Sequence, residues 1–93
     1  MFVRVVRFTD VTAERVESLA ARIDETGAPP GVPIERLQVV FDEAQGTAVV
    51  LQYFDSEENL RVGADAFAAM DPSETPGSRV SVDTGELKVE REP

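Results

Sequence analysis

The chain has 93 residues, 42% apolar and 29% charged, which separates it from disordered sequences and suits one domain over 1–93 with a single modest core. Its net charge is −9, from 18 acids against nine scattered bases, a surface that repels nucleic-acid phosphates and anionic membranes alike. It contains no His, Cys or Trp, which excludes a disulfide framework, a thiol nucleophile and a Ser-His pair.

The opening MFVRVVRFTD alternates as a strand over 2–8 and lacks the long apolar core and cleavage site of a signal peptide. Asp10 and Thr12 offer N-caps to a helix over 12–26, with Glu14 in its first turn and Val16, Leu19, Ala20 and Ile23 as one apolar stripe. Gly27 stops this helix, Pro29-Pro30 prevents its continuation, and GAPPGVP at 27–33 is a crossover loop. Two strands, 34–41 and 47–54, flank a five-residue hairpin loop, DEAQG, in which Gly46 is available for positive φ. Asp55 or Ser56 caps a second helix over 56–70, Asp55 with Glu58 resembling a capping box, and Leu60, Ala64, Phe67 and Ala68 form its buried stripe. Gly63 inside this helix predicts close packing. DPSETPGS is a loop at 71–78, and a last strand covers 79–90. The order β-α-β-β-α-β predicts an α+β, ferredoxin-like antiparallel sheet with two helices on one face.

Parity sorts the strand residues into two faces. One set, Val3, Val5, Leu37, Val39, Phe41, Val49 and Leu51, is wholly apolar and is expected to meet the helices. The other, which includes Phe2, Arg4, Val6, Phe8, Arg36, Gln38, Val40, Val50, Gln52 and Phe54, is too apolar to be left wet. A homodimer that packs this second face against a second copy is the expected solution. In the last strand Val80 and Val82 have one parity and Leu87 and Val89 the other, so a bulge or bend is expected around Thr84-Gly85, with the tail reaching the partner subunit. The alternative is a plain turn at Gly85 and a frayed end.

YFDSEENLRVGADAFAAM at 53–70, with an aromatic residue, an S-x-E cap and Ala-rich packing, and RVSVDTGELKVE at 79–90 resemble the second helix and closing strand of the dimeric α/β-barrel proteins, specifically the antibiotic-biosynthesis-monooxygenase-like group. That resemblance implies two sheets facing each other across a dimer as a barrel, with oxidation of quinol-like aromatics or degradation of haem inside it. Haem-degrading members use Asn, Trp and His, two of which this chain lacks, so that activity does not carry over.

No EF-hand spacing or phosphate-cradling glycine motif is present, and the pairs Asp42-Glu43 and Glu57-Glu58 read as solvated charges, so no metal and no cofactor is expected. The lone Tyr53 reads as a packing residue on the helix-facing side. The remaining constellation is Arg4, Arg36, Gln38, Gln52 and Phe54 on the second face, joined by Arg79, Ser81 and Asp83. Polar groups converging in an apolar cavity suit a small aromatic or anionic ligand, and arginine suits a carboxylate, phenolate or quinone oxygen. Arg36, read as mid-strand, is the expected anion holder. Two functions follow: a small-molecule-binding protein performing cofactor-independent monooxygenation, or a non-catalytic dimer whose arginines pair with acids across a filled barrel.

Overall fold

The structure is a computed structural model that describes residues 1–27, 31–70 and 75–92. Pro29-Pro30 and the first half of DPSETPGS lie outside the described residues. The elements are β1 (Phe2–Thr9), α1 (Ala13–Thr26), β2 (Arg36–Asp42), β3 (Thr47–Phe54), α2 (Glu57–Ala68) and β4 (Ser78–Glu86). They form the ferredoxin-like arrangement, with one antiparallel sheet ordered β2-β3-β1-β4. No helix among the described residues is long and apolar enough to cross a membrane.

The helix caps follow from local chemistry. Thr12 Oγ1 accepts from the Arg15 amide at 3.2 Å, and Ser56 Oγ accepts from the Asn59 amide at 3.1 Å, each satisfying one orphan donor of a first turn. Ser56, not Asp55, is therefore the α2 cap. Gly27, at φ 67°, closes α1 by donating its amide to the Ile23 carbonyl at 2.8 Å. Gly63 is buried, and a Cβ there would fall on the Phe54 ring, so the close packing expected at this glycine is present.

The sheet faces depart from the parity assignment in β1 and β3. Asp42 closes the hairpin opposite Thr47, so the loop is the four residues 43–46 rather than five. Asp42 holds that loop, its carboxylate accepting from the Gln45 amide at 3.2 Å and from Gln45 Nε2 at 2.7 Å. A one-residue change of register moves every side chain of a strand to the other face. Leu37, Val39 and Phe41 do face the helices, but their cross-strand neighbours are Gln52, Val50 and Ala48. Because β1 pairs with β3 as Phe2–Phe54, Arg4–Gln52, Val6–Val50 and Phe8–Ala48, β1 turns over with it. The core is thus Val6, Phe8, Val11, Ala48 and Val50, with Val16, Leu37, Val39 and Phe41 packed on it. Val3, Val5, Val49, Leu51 and Tyr53 lie on the side away from the helices.

β4 corrects a second expectation. Its ladder with β1 runs through Thr84 and Gly85, and Leu87 extends it by donating to the Met1 carbonyl at 2.9 Å. The irregularity lies at the other end, where Arg7 faces Ser81 and Phe8 faces Arg79, leaving Val80 without a pair. The strand ends at Glu86 rather than at residue 90.

Candidate functional site

The helix-facing side of β1 and β3 is apolar except for one rung. Arg4 and Gln52 sit directly opposite each other, and Arg4 Nη1 donates to Gln52 Oε1 at 2.8 Å. They are 4% and 3% exposed, which marks them as interior groups. The Arg4 guanidinium also lies 5.7 Å from the centroid of the Phe67 ring, on α2. Burial, then the positive charge of Arg79, pushes the Arg4 pKa below the usual arginine value. Gln52 supplies a hydrogen bond to this cation but no compensating charge.

Arg4, though almost fully covered, borders a cleft. None of the described α1 residues is buried, and Leu19 and Ile23 look across a cleft rather than onto the sheet. The cleft has a volume of about 990 Å³ between the sheet, α1 and the end of α2. Packed interiors leave few voids larger than a water molecule, so this space is the candidate ligand site of the chain. Val6, Val50, Leu37 and Phe67 make its apolar wall. Arg4, Arg15, Arg22 and Arg79 bring four of the chain's nine bases to it. Among the described lining residues there is no Asp or Glu. Arg15 and Arg22 stand two turns apart on α1, and Arg15 Nη2 donates to the Thr75 carbonyl at 2.8 Å.

The five residues singled out in the sequence therefore divide. Arg4, Gln52 and Phe54 face the helices, and Arg4 and Gln52 line the cleft; Phe54 is fully buried beneath α2. Arg36 and Gln38 lie on the opposite face with Tyr53, where the sheet separates them from Arg4. Arg36 is the first residue of β2 and exposed, not mid-strand and enclosed. Its guanidinium lies 5.5 Å from the centroid of the Tyr53 ring, and the Tyr53 hydroxyl donates to Gln38 Oε1 at 2.9 Å. Of the β4 candidates, Arg79 reaches the cleft, whereas Ser81 and Asp83 pair with Arg7 and Val5 on the far face. Sequence reasoning missed Arg15 and Arg22. The available signal was their spacing, since Arg15 and Arg22 alternate with Leu19 and Ile23 at helical intervals on the face of α1 that looks into the cleft.

A porphyrin metal requires an axial nitrogen, sulfur or phenolate donor. The chain has no His or Cys, Tyr53 is on the other face, and Met70 is the one such donor among the described lining residues. A lone thioether does not suit this donor set to an axially ligated haem.

No family model matches the sequence, and no characterised protein does. Solved structures match its fold over essentially the whole chain. A single-substitution variant of MhuD, seen with two manganese protoporphyrin IX molecules per active site, superposes with a TM-score of 0.64 at 17% identity, covering 100% of both chains. A candidate antibiotic biosynthesis monooxygenase from Chloroflexus aurantiacus J-10-fl gives a TM-score of 0.60 at 14% identity, covering 98% of this chain and 96% of that one. Another from Deinococcus radiodurans gives 0.60 at 12% identity, covering 100% and 98%. The chain shares its ferredoxin-like fold with these three structures.

Proposed function

We propose that this chain is a small-molecule-binding protein that acts as a homodimer, with one ligand cleft per protomer between the sheet and the helices. The observation that carries the binding reading is the cleft of about 990 Å³, apolar in most of its lining with four arginines set among the apolar side chains. Its volume suits an organic ligand of one to a few fused rings.

Cofactor-independent oxidation is the chemistry this site would support. A substrate with an activated methylene supplies all the electrons itself. The methylene carbon loses its two hydrogens and gains one oxygen atom of dioxygen as a carbonyl, while the other oxygen atom leaves with those hydrogens as water, so no flavin or metal is needed. Cations around Arg4 favour the enolate or phenolate form of such a substrate, the form that reacts with dioxygen. Likeness of fold to the two candidate monooxygenases supports the same reading. Binding of anthrone with oxygen uptake above the uncatalysed rate is the expected result. Binding without oxygen uptake would leave the non-catalytic alternative, and no binding would end both.

The dimer rests on the face away from the helices. Val3, Val5, Val49 and Leu51 stand there with no described helix above them, and Val40 is 58% exposed. Four strands of seven to nine residues make a face of roughly 500 Å², from a spacing of about 4.8 Å and a rise of about 3.3 Å per residue. Two such faces bury about 1,000 Å², the lower bound for a specific interface. The polar corner suits covering, because Arg36, Gln38 and Tyr53 already satisfy one another in part. Light scattering should give twice the 10.1 kDa chain mass at micromolar concentration; a single chain mass would refute the dimer.

A further inference from the structure

Four arginines meet at the cleft of a protein that carries 18 acids against nine bases. Among the described lining residues every charge is cationic. The described ion pairs are elsewhere: Arg61 with Glu57 at 4.0 Å and Lys88 with Glu86 at 3.2 Å, both at the surface. Among the described residues, no carboxylate pairs with Arg4, Arg22 or Arg79. A buried cation without a counter-charge is costly, and a second cation beside it adds to the cost. Gln52 and the Phe67 ring meet the hydrogen-bonding and quadrupolar needs of Arg4 and leave its charge unneutralised.

Building on the binding role proposed above, we infer that the cleft's ligand is an organic anion, a carboxylate or phenolate on an aromatic body, whose negative group lies between Arg4 on the floor and Arg79 on β4. The register brings the two arginines to the same side of the sheet, since Arg79 faces Phe8 across the β1–β4 ladder and Phe8 shares a face with Arg4. Their proximity is reflected in the effect of the Arg79 charge on Arg4. The anion supplies the counter-charge that no described carboxylate provides, and Gln52 fixes the guanidinium that receives it. The apolar wall of Val6, Val50 and Phe67 distinguishes an aromatic anion from inorganic phosphate, which would leave that surface wet. Arg79 is a specificity residue here, because it is exposed on an edge strand and contributes little to the fold.

Matched probes test this. Titration calorimetry with 2-naphthoate and 2-naphthamide, nearly equal in shape but not in charge, should show the carboxylate binding at least about tenfold tighter. Arg79→Gln should erase most of that preference, weakening the carboxylate far more than the amide. Equal binding of both probes to the native chain would overturn the charge inference and leave the cleft as a ligand site. A preference that survives in Arg79→Gln would overturn the role of Arg79. Phosphate binding as tightly as naphthoate would overturn the aromatic part. If neither probe binds, the ligand-binding reading itself falls.

Discussion

Phe54→Ala should destabilise the protein by about 3–5 kcal/mol, the range for removing a fully buried aromatic ring. Phe54 is 0% exposed, ends β3 opposite Phe2, and fills the space that Gly63 leaves on α2. Domains of this size have only about 5–15 kcal/mol of stability in total, so the variant should unfold at low urea or be largely unfolded at 37 °C. The cavity would close poorly, because α2 is held at the proximal end by the Ser56 cap and cannot simply drop onto the sheet. Gly63→Ala approaches the same contact from the helix. Alanine gains about 1 kcal/mol of helix propensity but overpacks the ring at about 1–3 kcal/mol, so the net effect should be a smaller destabilisation. Combining Gly63→Ala with Phe54→Leu should then cost less than the two separate losses together, which urea unfolding of the four chains would measure. A loss below about 1 kcal/mol for Phe54→Ala, or strict additivity, would show that the two residues do not form one packing unit.

Much of this architecture was legible because it depends on short-range chemistry. Thr12 and Gly27 bound α1, the S-x-E cap opens α2, and Gly63 advertises a close approach, each within a few residues of its effect. The faces of the sheet were not legible in the same way, because they hinge on whether Asp42 closes the hairpin or belongs to its loop. That single residue decides whether Leu37 shares a side with Leu51 or with Gln52. Composition held a partial answer. The helix-facing side of β1 and β3 takes Phe2, Phe8 and Phe54, while Arg7, Thr47 and Tyr53 go to the other side; the parity assignment includes these phenylalanines but gives them to a second, partner-covered face. The candidate site inherited the error. Arg4 and Gln52 stayed together because they are opposite each other in the β1–β3 ladder, whereas Arg36 and Gln38 were separated from them by the register of β2. The cleft could not be read from periodicity at all. The stripe of α1 looks the same whether Leu19 and Ile23 press on the sheet or stand across an open space from it.

Leu51→Lys should convert the proposed dimer to a folded monomer, weakening association about 100-fold or more. Leu51 is central in β3, between Val5 on β1 and Gln38 on β2, on the face away from the helices. In an isolated chain this position is half-buried, and a lysine can lay its methylenes along Val5 while its ammonium reaches water, so the fold should survive. In a two-fold face-to-face dimer the same substitution places two ammonium groups in one apolar interface. Each must be desolvated without a partner at a cost of several kcal/mol, and the two repel each other. Because symmetry doubles the penalty, association fails well before folding does. Sedimentation or light scattering should report the 10.1 kDa chain for the variant, with native circular dichroism, and the assembled mass for the parent. Arg36→Ala is the useful companion, since it removes a cation from the corner of the same face and should alter association by no more than about tenfold. If Leu51→Lys leaves the mass unchanged, the helix-free face is not what joins the two copies. The valines and leucines of β1 and β3 would then need another cover.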